Sequence, residues 1–285
     1  MKIAIVGASG LVGSSLMEDI SLAMGKGCQV IGTYCYHAIV SGVYLDITDR
    51  EEISRFIASY TPDVLIWLAG SKDLALLEKN PELSRALNEQ PIADLVEILI
   101  TGHFATKVIY VSSDYVFDGN RGGYIVGDIR EPDTVYGRSK VYAEDLLVES
   151  GIECVSLRTS AIMNAKGGFF GWFLGQIKDG KEINLYANTV FSPTPSISFN
   201  RAIVKIIQKE LWGGVLHFAG TSMSRYHFGK KIASLLSKDI HKISPAYADI
   251  NQSTFHSNLS LVTSEELLDL RPGDAELLLE LNRYD

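Results

Sequence analysis

The sequence predicts an α/β fold: a doubly wound parallel sheet covered by helices on both faces, followed by a smaller C-terminal α/β lobe. Three observations lead there. Short β-branched apolar runs alternate with longer amphipathic stretches through the first half of the 285 residues. Such runs need both faces covered, and parallel strands need crossover helices. The first run empties into a glycine cluster that opens a helical stretch. Beyond Arg158 the rhythm changes, with glycines and aromatics crowding Gly167–Gly175 and a loop carrying Pro193 and Pro195. Residues 1–160 therefore read as the main sheet domain. Residues 161–285 read as a lobe packed at the sheet's C-terminal edge, with some strands and helices returning to the first domain.

Element by element, strands are expected at Lys2–Val6, Gln29–Thr33, Val43–Leu45, Asp63–Ala69 and Lys107–Ser112, each bounded by polar or glycine residues. Between them, Leu11–Met24 follows the glycine cluster, and Thr48–Tyr60 opens with Thr48-Asp49-Arg50-Glu51, a capping-box spacing. Pro81–Thr101 carries Leu83, Leu87, Ile92, Leu95, Ile98 and Leu99 at helical spacing and reads as one helix. Helix Tyr136–Glu149, closed by Gly151, and strand Glu153–Leu157 continue the pattern. Strand Gly214–Ala219, helix Tyr226–Leu236 and a less regular tail complete the chain.

Composition narrows the function. Twenty-six Lys and Arg stand against thirty-four Asp and Glu, a formal net charge of −8. An acidic surface repels phosphate backbones and argues against nucleic-acid binding. The longest apolar run, Val64–Gly70, is far short of the ~18 to 20 residues of a membrane-spanning helix, so no membrane partner is expected. Three cysteines without C-x-x-C spacing argue against a disulfide framework or structural zinc and point to the cytoplasm. The N-terminal apolar run is cut by Gly7 and reads as a strand rather than a signal peptide. The six histidines show no metal-ligand spacing, and no metal site is assigned.

The glycine cluster, Gly7-Ala8-Ser9-Gly10-Leu11-Val12-Gly13, lies between a strand and a helix. Glycines admit a diphosphate close to the backbone, and the helix N-terminus offers unpaired N–H groups with partial positive charge. A merely glycine-rich turn is the competing account; the strand before and helix after favour a Rossmann dinucleotide site. Gly7, Gly10, Leu11, Val12 and Gly13 are its expected core, with Thr33, Asp46, Ile47, Leu68, Ala69 and Gly70 at neighbouring strand ends. The second strand ends Ile31-Gly32-Thr33-Tyr34 with no carboxylate to repel a 2′-phosphate. NADP(H) is favoured and NAD(H) stays open, because no Arg or Lys lies between Gly32 and Leu45 and only His37 is near. Asp46 could accept from an adenine amine or serve as a loop residue.

Chemistry enters at Val111-Ser112-Ser113-Asp114-Tyr115-Val116-Phe117-Asp118-Gly119 and at Tyr136-Gly137-Arg138-Ser139-Lys140. Tyr136 and Lys140 share a helix face. The ammonium is expected to lower the phenol pKa, letting it exchange a proton with a carbonyl, while Ser113 orients the same oxygen. The hydride has to come from a nicotinamide. Tyr226 and Lys230 have the same spacing without that setting and read as helix surface.

Together these segments resemble the extended short-chain dehydrogenase/reductases, and among them the dTDP-4-dehydrorhamnose reductases. The resemblance extends through Asn88, Arg158-Thr159-Ser160, Ser192-Pro193-Thr194, His217-Phe218-Ala219-Gly220 and Ser224-Arg225-Tyr226-His227-Phe228. It implies Ser113, Tyr136 and Lys140 as a catalytic triad reducing the C4 ketone of a nucleotide-linked 6-deoxy-hexose. It also implies that Lys140 holds the nicotinamide ribose, and it makes a homodimer plausible. Relatives carry an acidic residue near Ala75, a tryptophan near Ala161 and Asp-Gln where this chain has Asn188-Thr189, so the sugar pocket is expected to differ.

Substrate contacts are expected from Ser113, Asp114, Tyr115, Phe117, Trp172 and Arg201. Trp172 lies in the aromatic run Gly167–Phe173, either a lid or core; Arg201 could pair with a diphosphate or sit on a helix surface. Glu78, Asp114 and Asp118 are secondary polar groups. Two other functions stay open: a dinucleotide-binding regulatory protein resembling the methionine adenosyltransferase regulatory subunit, and a nucleotide-sugar epimerase or dehydratase that retains its cofactor.

Overall fold

The computed structural model describes residues 1–249 and 256–283. The first strand, β1 (Lys2–Val6), is apolar throughout because both its faces are covered; Ile3, Ala4 and Ile5 are fully buried. It is followed by α1 (Leu11–Met24), β2 (Gln29–Tyr34), β3 (Val43–Tyr44), α2 (Arg50–Tyr60), β4 (Val64–Trp67), α3 (Leu74–Lys79), α4 (Pro81–Ser84), α5 (Gln90–Thr101) and β5 (Lys107–Ser113). Next come α6 (Val135–Glu149), β6 (Cys154–Thr159), β7 (Ile162–Met163), α7 (Gly168–Lys178), β8 (Ile183–Tyr186), β9 (Val190–Phe191) and β10 (Thr194–Pro195). The order closes with α8 (Ser196–Gln208), β11 (Val215–Phe218), β12 (Met223–Ser224), α9 (Arg225–Leu235), β13 (Ile243–Ala246) and α10 (Asp274–Asn282).

Seven strands form one parallel sheet in the order β11-β6-β5-β4-β1-β2-β3. Ala4 lies opposite Ile31 of β2 and Leu65 of β4. On one face Ile3, Ile5 and Ile109 pack with Leu16 and Ile20 of α1 and Phe199 and Ile203 of α8. On the other, Ala4, Leu65 and Trp67 pack with Ile53 of α2, Leu95 of α5 and Leu147 of α6. This is the doubly wound α/β sheet expected. Helix α8 and strand β11, both beyond residue 160, pack onto it. The remaining C-terminal residues build a smaller core around Phe170, Phe173, Phe228 and Ile232, with β8 paired to β13 and β9 to β12. No described helix is long and apolar enough to cross a membrane.

Two local expectations are corrected. Asp49, not Thr48, caps α2, its carboxylate accepting from the N–H groups of Glu51 and Glu52 at 2.8 and 3.2 Å. Thr48 is drawn instead to Asp46, at 2.9 Å through its N–H and 2.8 Å through its hydroxyl. The stretch 81–101 is not one uniform helix, because Arg85–Glu89 forms a π-turn between α4 and α5. Pro91 has no N–H for the Leu87 carbonyl, and the ladder slips there. The slip places Asn88 at 4% exposure, where its amide exchanges two hydrogen bonds with the Ser71 backbone at 2.8 and 3.0 Å.

Behind β5, a buried ion pair joins α6 to the sheet. Glu144 and Arg158, 1% and 2% exposed, meet bidentately at 2.6 and 2.9 Å. Ser112 donates to the same carboxylate at 2.5 Å, and Arg130 approaches to 3.3 Å. His217 lies 3.2 Å from Arg158; burial, then that guanidinium, pushes its pKa down to about 4.

Candidate active site

The winding of the sheet reverses between β1 and β4, and ligands of such sheets bind beyond the strand ends at that point. A cavity of about 650 Å³ opens there. Its walls come from the glycine loop, from Leu68–Lys72 after β4, from the end of β5 and from the C-terminal lobe.

The loop fits a bound diphosphate. Gly7 adopts φ +87°, and a side chain on Gly13 would stand 2.5 Å from the Ala8 Cα and 2.6 Å from the Gly7 carbonyl. Only glycine lets α1 start this close to β1. Gly10 caps α1 without a side chain, so the first-turn N–H groups have no side-chain partner, whereas α2, α6 and α9 are each capped by one. The lobe clasps the same loop, Asn164 donating to the Leu11 carbonyl at 2.7 Å.

The reactive groups converge because α6 begins against the loop that follows β5. A side chain on Gly137 would lie 2.1 Å from the Tyr115 carbonyl, so this glycine permits the contact. Thr134 caps the helix through the Gly137 N–H at 3.0 Å, and Glu78 accepts from the Val135 N–H at 2.6 Å. Tyr136 is thereby hydrogen-bonded to the Ser113 side chain. Lys140, one turn on, donates to the Val111 carbonyl at 3.1 Å, its Nζ 5.6 Å from the centre of the Tyr136 ring.

The electrostatics depart from the expectation that Lys140 lowers the Tyr136 pKa. Burial dominates and raises it, with Ser113 opposing and the Asp114 charge adding to the rise. Burial pulls Lys140 itself down to about 8, against the attraction of Glu144. Asp114 is pushed up to about 6 by burial, which outweighs its hydrogen bonds with Ser160 and Ser113. Tyr115 is pushed up to about 12 by burial and the Asp114 charge. The pocket therefore keeps the Tyr136 phenol protonated at neutral pH, the form a proton donor needs.

Of the expected residues, Gly7, Gly10, Leu11, Val12, Gly13, Leu68, Ala69, Gly70, Ser113, Asp114, Tyr115, Tyr136 and Lys140 line this cavity. Thr33, Asp46, Ile47, Phe117, Trp172 and Arg201 do not. The Thr33 hydroxyl accepts from the Gly7 N–H at 3.2 Å, shaping the loop from beneath. The Asp46 carboxylate is engaged by Thr48, and Ile47 packs against the core cluster beneath α2. Phe117 is fully buried and stacked on Tyr124 at 4.3 Å. Trp172 is half exposed on α7, while its neighbours Phe169 and Phe170 face the cavity. Arg201 points outward to Glu276 at 3.8 Å. Tyr226 and Lys230 lie against each other on α9, away from the cavity lining.

Three lining residues were not singled out from sequence: Arg225 at the start of α9, His256, and Thr189 as a cavity hydroxyl. His256 holds Asp133 at 2.7 Å and packs edge-on against Tyr115 at 5.2 Å. Among the described residues no group of three His, Cys, Asp or Glu side chains is placed to hold a metal ion.

The RmlD substrate binding domain model matches residues 1–274. The chain belongs to that family. It is 28% identical to a probable low-salt glycan biosynthesis reductase of Haloferax volcanii over 260 residues, covering 87% of this chain and 85% of that protein. It is 25% identical to the dTDP-4-dehydrorhamnose reductase of Aggregatibacter actinomycetemcomitans, covering 98% and 97% of the two chains. Its fold is similar to that of the dTDP-4-dehydrorhamnose reductase of Bacillus anthracis in complex with NADP: TM-score 0.85, 23% identity, 100% and 99% coverage. The family resemblance read from the sequence motifs is thus borne out.

Proposed function

We propose that this RmlD-family chain is an NADP(H)-dependent reductase of the 4-keto group of a nucleotide-linked 6-deoxy-hexose, acting in deoxysugar and polysaccharide synthesis. Residues 1–160 hold the cofactor, and 161–285 cover the sugar nucleotide. One observation carries the reading: the Ser113–Tyr136 hydrogen bond and Lys140 share a single cavity with an uncapped, glycine-built helix N-terminus. The listing of reductases among its relatives supports the same chemistry, and the NADP of the Bacillus anthracis homologue supports the cofactor.

A nicotinamide bound here supplies the hydride. The protein's part is to hold the ketone oxygen and deliver a proton. Ser113 and Tyr136 are bonded to each other, so a carbonyl oxygen in front of them accepts from both hydroxyls. Tyr136 gives up its proton as negative charge develops on that oxygen, and the Lys140 ammonium stabilises the phenolate left behind. Gly7–Gly13 seat the diphosphate against the α1 N-terminus. The apolar wall of Phe169, Phe170 and Leu259 excludes water.

The test is NADPH and NADH oxidation with dTDP-4-keto-6-deoxy-hexose, comparing wild type and Tyr136→Phe. Turnover that depends on the Tyr136 hydroxyl supports the reading. Cofactor binding without oxidation by any nucleotide keto-sugar would return the chain to a regulatory role, and turnover without net NADPH loss to an epimerase or dehydratase.

A further inference from the structure

The lobe side of the cavity holds a guanidinium in an unusual setting. Arg225, the first residue of α9, lies over the rings of Phe169 and Phe191, its Cζ 4.8 and 4.9 Å from their centres. Ring faces attract the cation and fix its plane but accept no in-plane N–H bonds, so the fork of donors stays available. Among the described residues no carboxylate pairs with Arg225 and no side chain or carbonyl accepts from it. Asp114 and Tyr115 are its electrostatic neighbours. Neither balances it: the Asp114 carboxylate is bonded to Ser113 and Ser160, and Tyr115 is held in its neutral form by burial.

An independent observation lies beside it. Thr189, two residues before Phe191, lines the same cavity at 8% exposure, and its hydroxyl has no hydrogen-bond partner. A buried hydroxyl without a partner is costly unless a ligand satisfies it. Its neighbour Asn188 is fully used, exchanging two 2.8 Å bonds with the Ala248 backbone, which fixes the Thr189 backbone in place.

We infer that Arg225, clamped by Phe169 and Phe191 beside Thr189, is the seat for an oxyanion of the substrate on the lobe side of the cavity, across from Ser113 and Tyr136. This deepens the proposed function and rests on it for the word substrate. The seat takes the phosphate nearest the sugar or a carboxylate on the sugar itself, both of which match a guanidinium fork. It does for the lobe what Arg201 was expected to do.

Calorimetric titration of the NADP⁺-loaded protein with dTDP, UDP, GDP, the matching nucleosides and D-glucuronate tests this. For the probe that wild type binds, Arg225→Gln is expected to weaken affinity about 10- to 100-fold, the range of a charge-assisted hydrogen bond, while nucleoside and NADP⁺ affinities stay put. Loss confined to the diphosphates assigns the seat to phosphate, and loss confined to glucuronate assigns it to a sugar carboxylate; either supports the inference. Wild-type affinity in Arg225→Gln, or a wild type that binds none of these anions, overturns it. Should Arg225→Gln fail to fold, isosteric Thr189→Val decides: a loss of about 2- to 10-fold supports the seat, and unchanged affinity overturns it. If NADP⁺ itself does not bind, the reductase reading fails while the anion titration of the unloaded chain still reads the seat.

Discussion

Replacing Glu144 by Ala should be among the most destabilising single changes in the sheet domain. The carboxylate is 1% exposed, and the Arg158 guanidinium it holds bidentately is 2% exposed. Truncation leaves that cation buried beside His217, which burial and Arg158 already keep neutral until about pH 4 and which therefore offers no counter-charge. Breaking one side of such a pair costs about 3–5 kcal/mol. A chain of 285 residues unfolds with an entropy of about 0.6 kcal/mol/K near its midpoint, so Tm should fall by about 5–8 °C. Differential scanning calorimetry of wild type, Glu144→Ala and Glu144→Leu/Arg158→Met reads this directly. The double variant buries no lone charge and should recover at least half the loss, even though Ser112 forfeits its 2.5 Å bond to Glu144. A single-variant shift below about 2 °C, or a double variant as unstable as the sum of its singles, would refute the view that an orphaned charge dominates.

The remaining predictions concern the cavity. Tyr136→Phe should cut turnover about 100- to 10,000-fold while leaving NADP(H) affinity within about twofold, measured by steady-state kinetics and fluorescence titration. Because burial lowers Lys140 to about 8, kcat/KM should fall as pH rises through that value, and Lys140→Met should abolish the step. Asp114 is raised to about 6 from 3.8, so the folded state binds the extra proton between those values. Its stabilising contribution is full below pH 3.8 and disappears as pH rises through 6, and Asp114→Asn should flatten that part of a urea-midpoint profile. Gly13→Ala, whose Cβ meets backbone at 2.5 Å, should abolish cofactor binding or lower Tm by several degrees.

The site was legible where its chemistry is local. The glycine loop announces itself within seven residues, and Tyr136 with Lys140 within five, because a strand end and a helix face fix such neighbours by covalent spacing alone. What escaped depends on tertiary surroundings. The i, i+4 spacing suggested that the ammonium would set the Tyr136 pKa, but the degree of burial decides its sign. Phe117 and Trp172 lie near the right motifs in sequence, yet one turns into the core beside Tyr124 and the other faces outward. Arg225 and His256 reach Tyr115 from more than a hundred residues away, and no local pattern marks either. The π-turn at Arg85–Glu89 is a subtler case: Pro91 was visible, but the shift it permits shows only in the hydrogen-bond ladder.

The position of β11 has a consequence for biosynthesis. Its partner β6 ends at Thr159, and β11 begins at Val215. At about 5–20 residues per second, a ribosome needs roughly 3 to 11 seconds to deliver the intervening segment. During that interval the nascent chain presents a row of unpaired amides along β6, an adhesive border on an otherwise finished layer. Selection for soluble expression should therefore act on the β6 border as well as on the mature surface, and chain stalled before residue 218 is the species most prone to stick to its own kind.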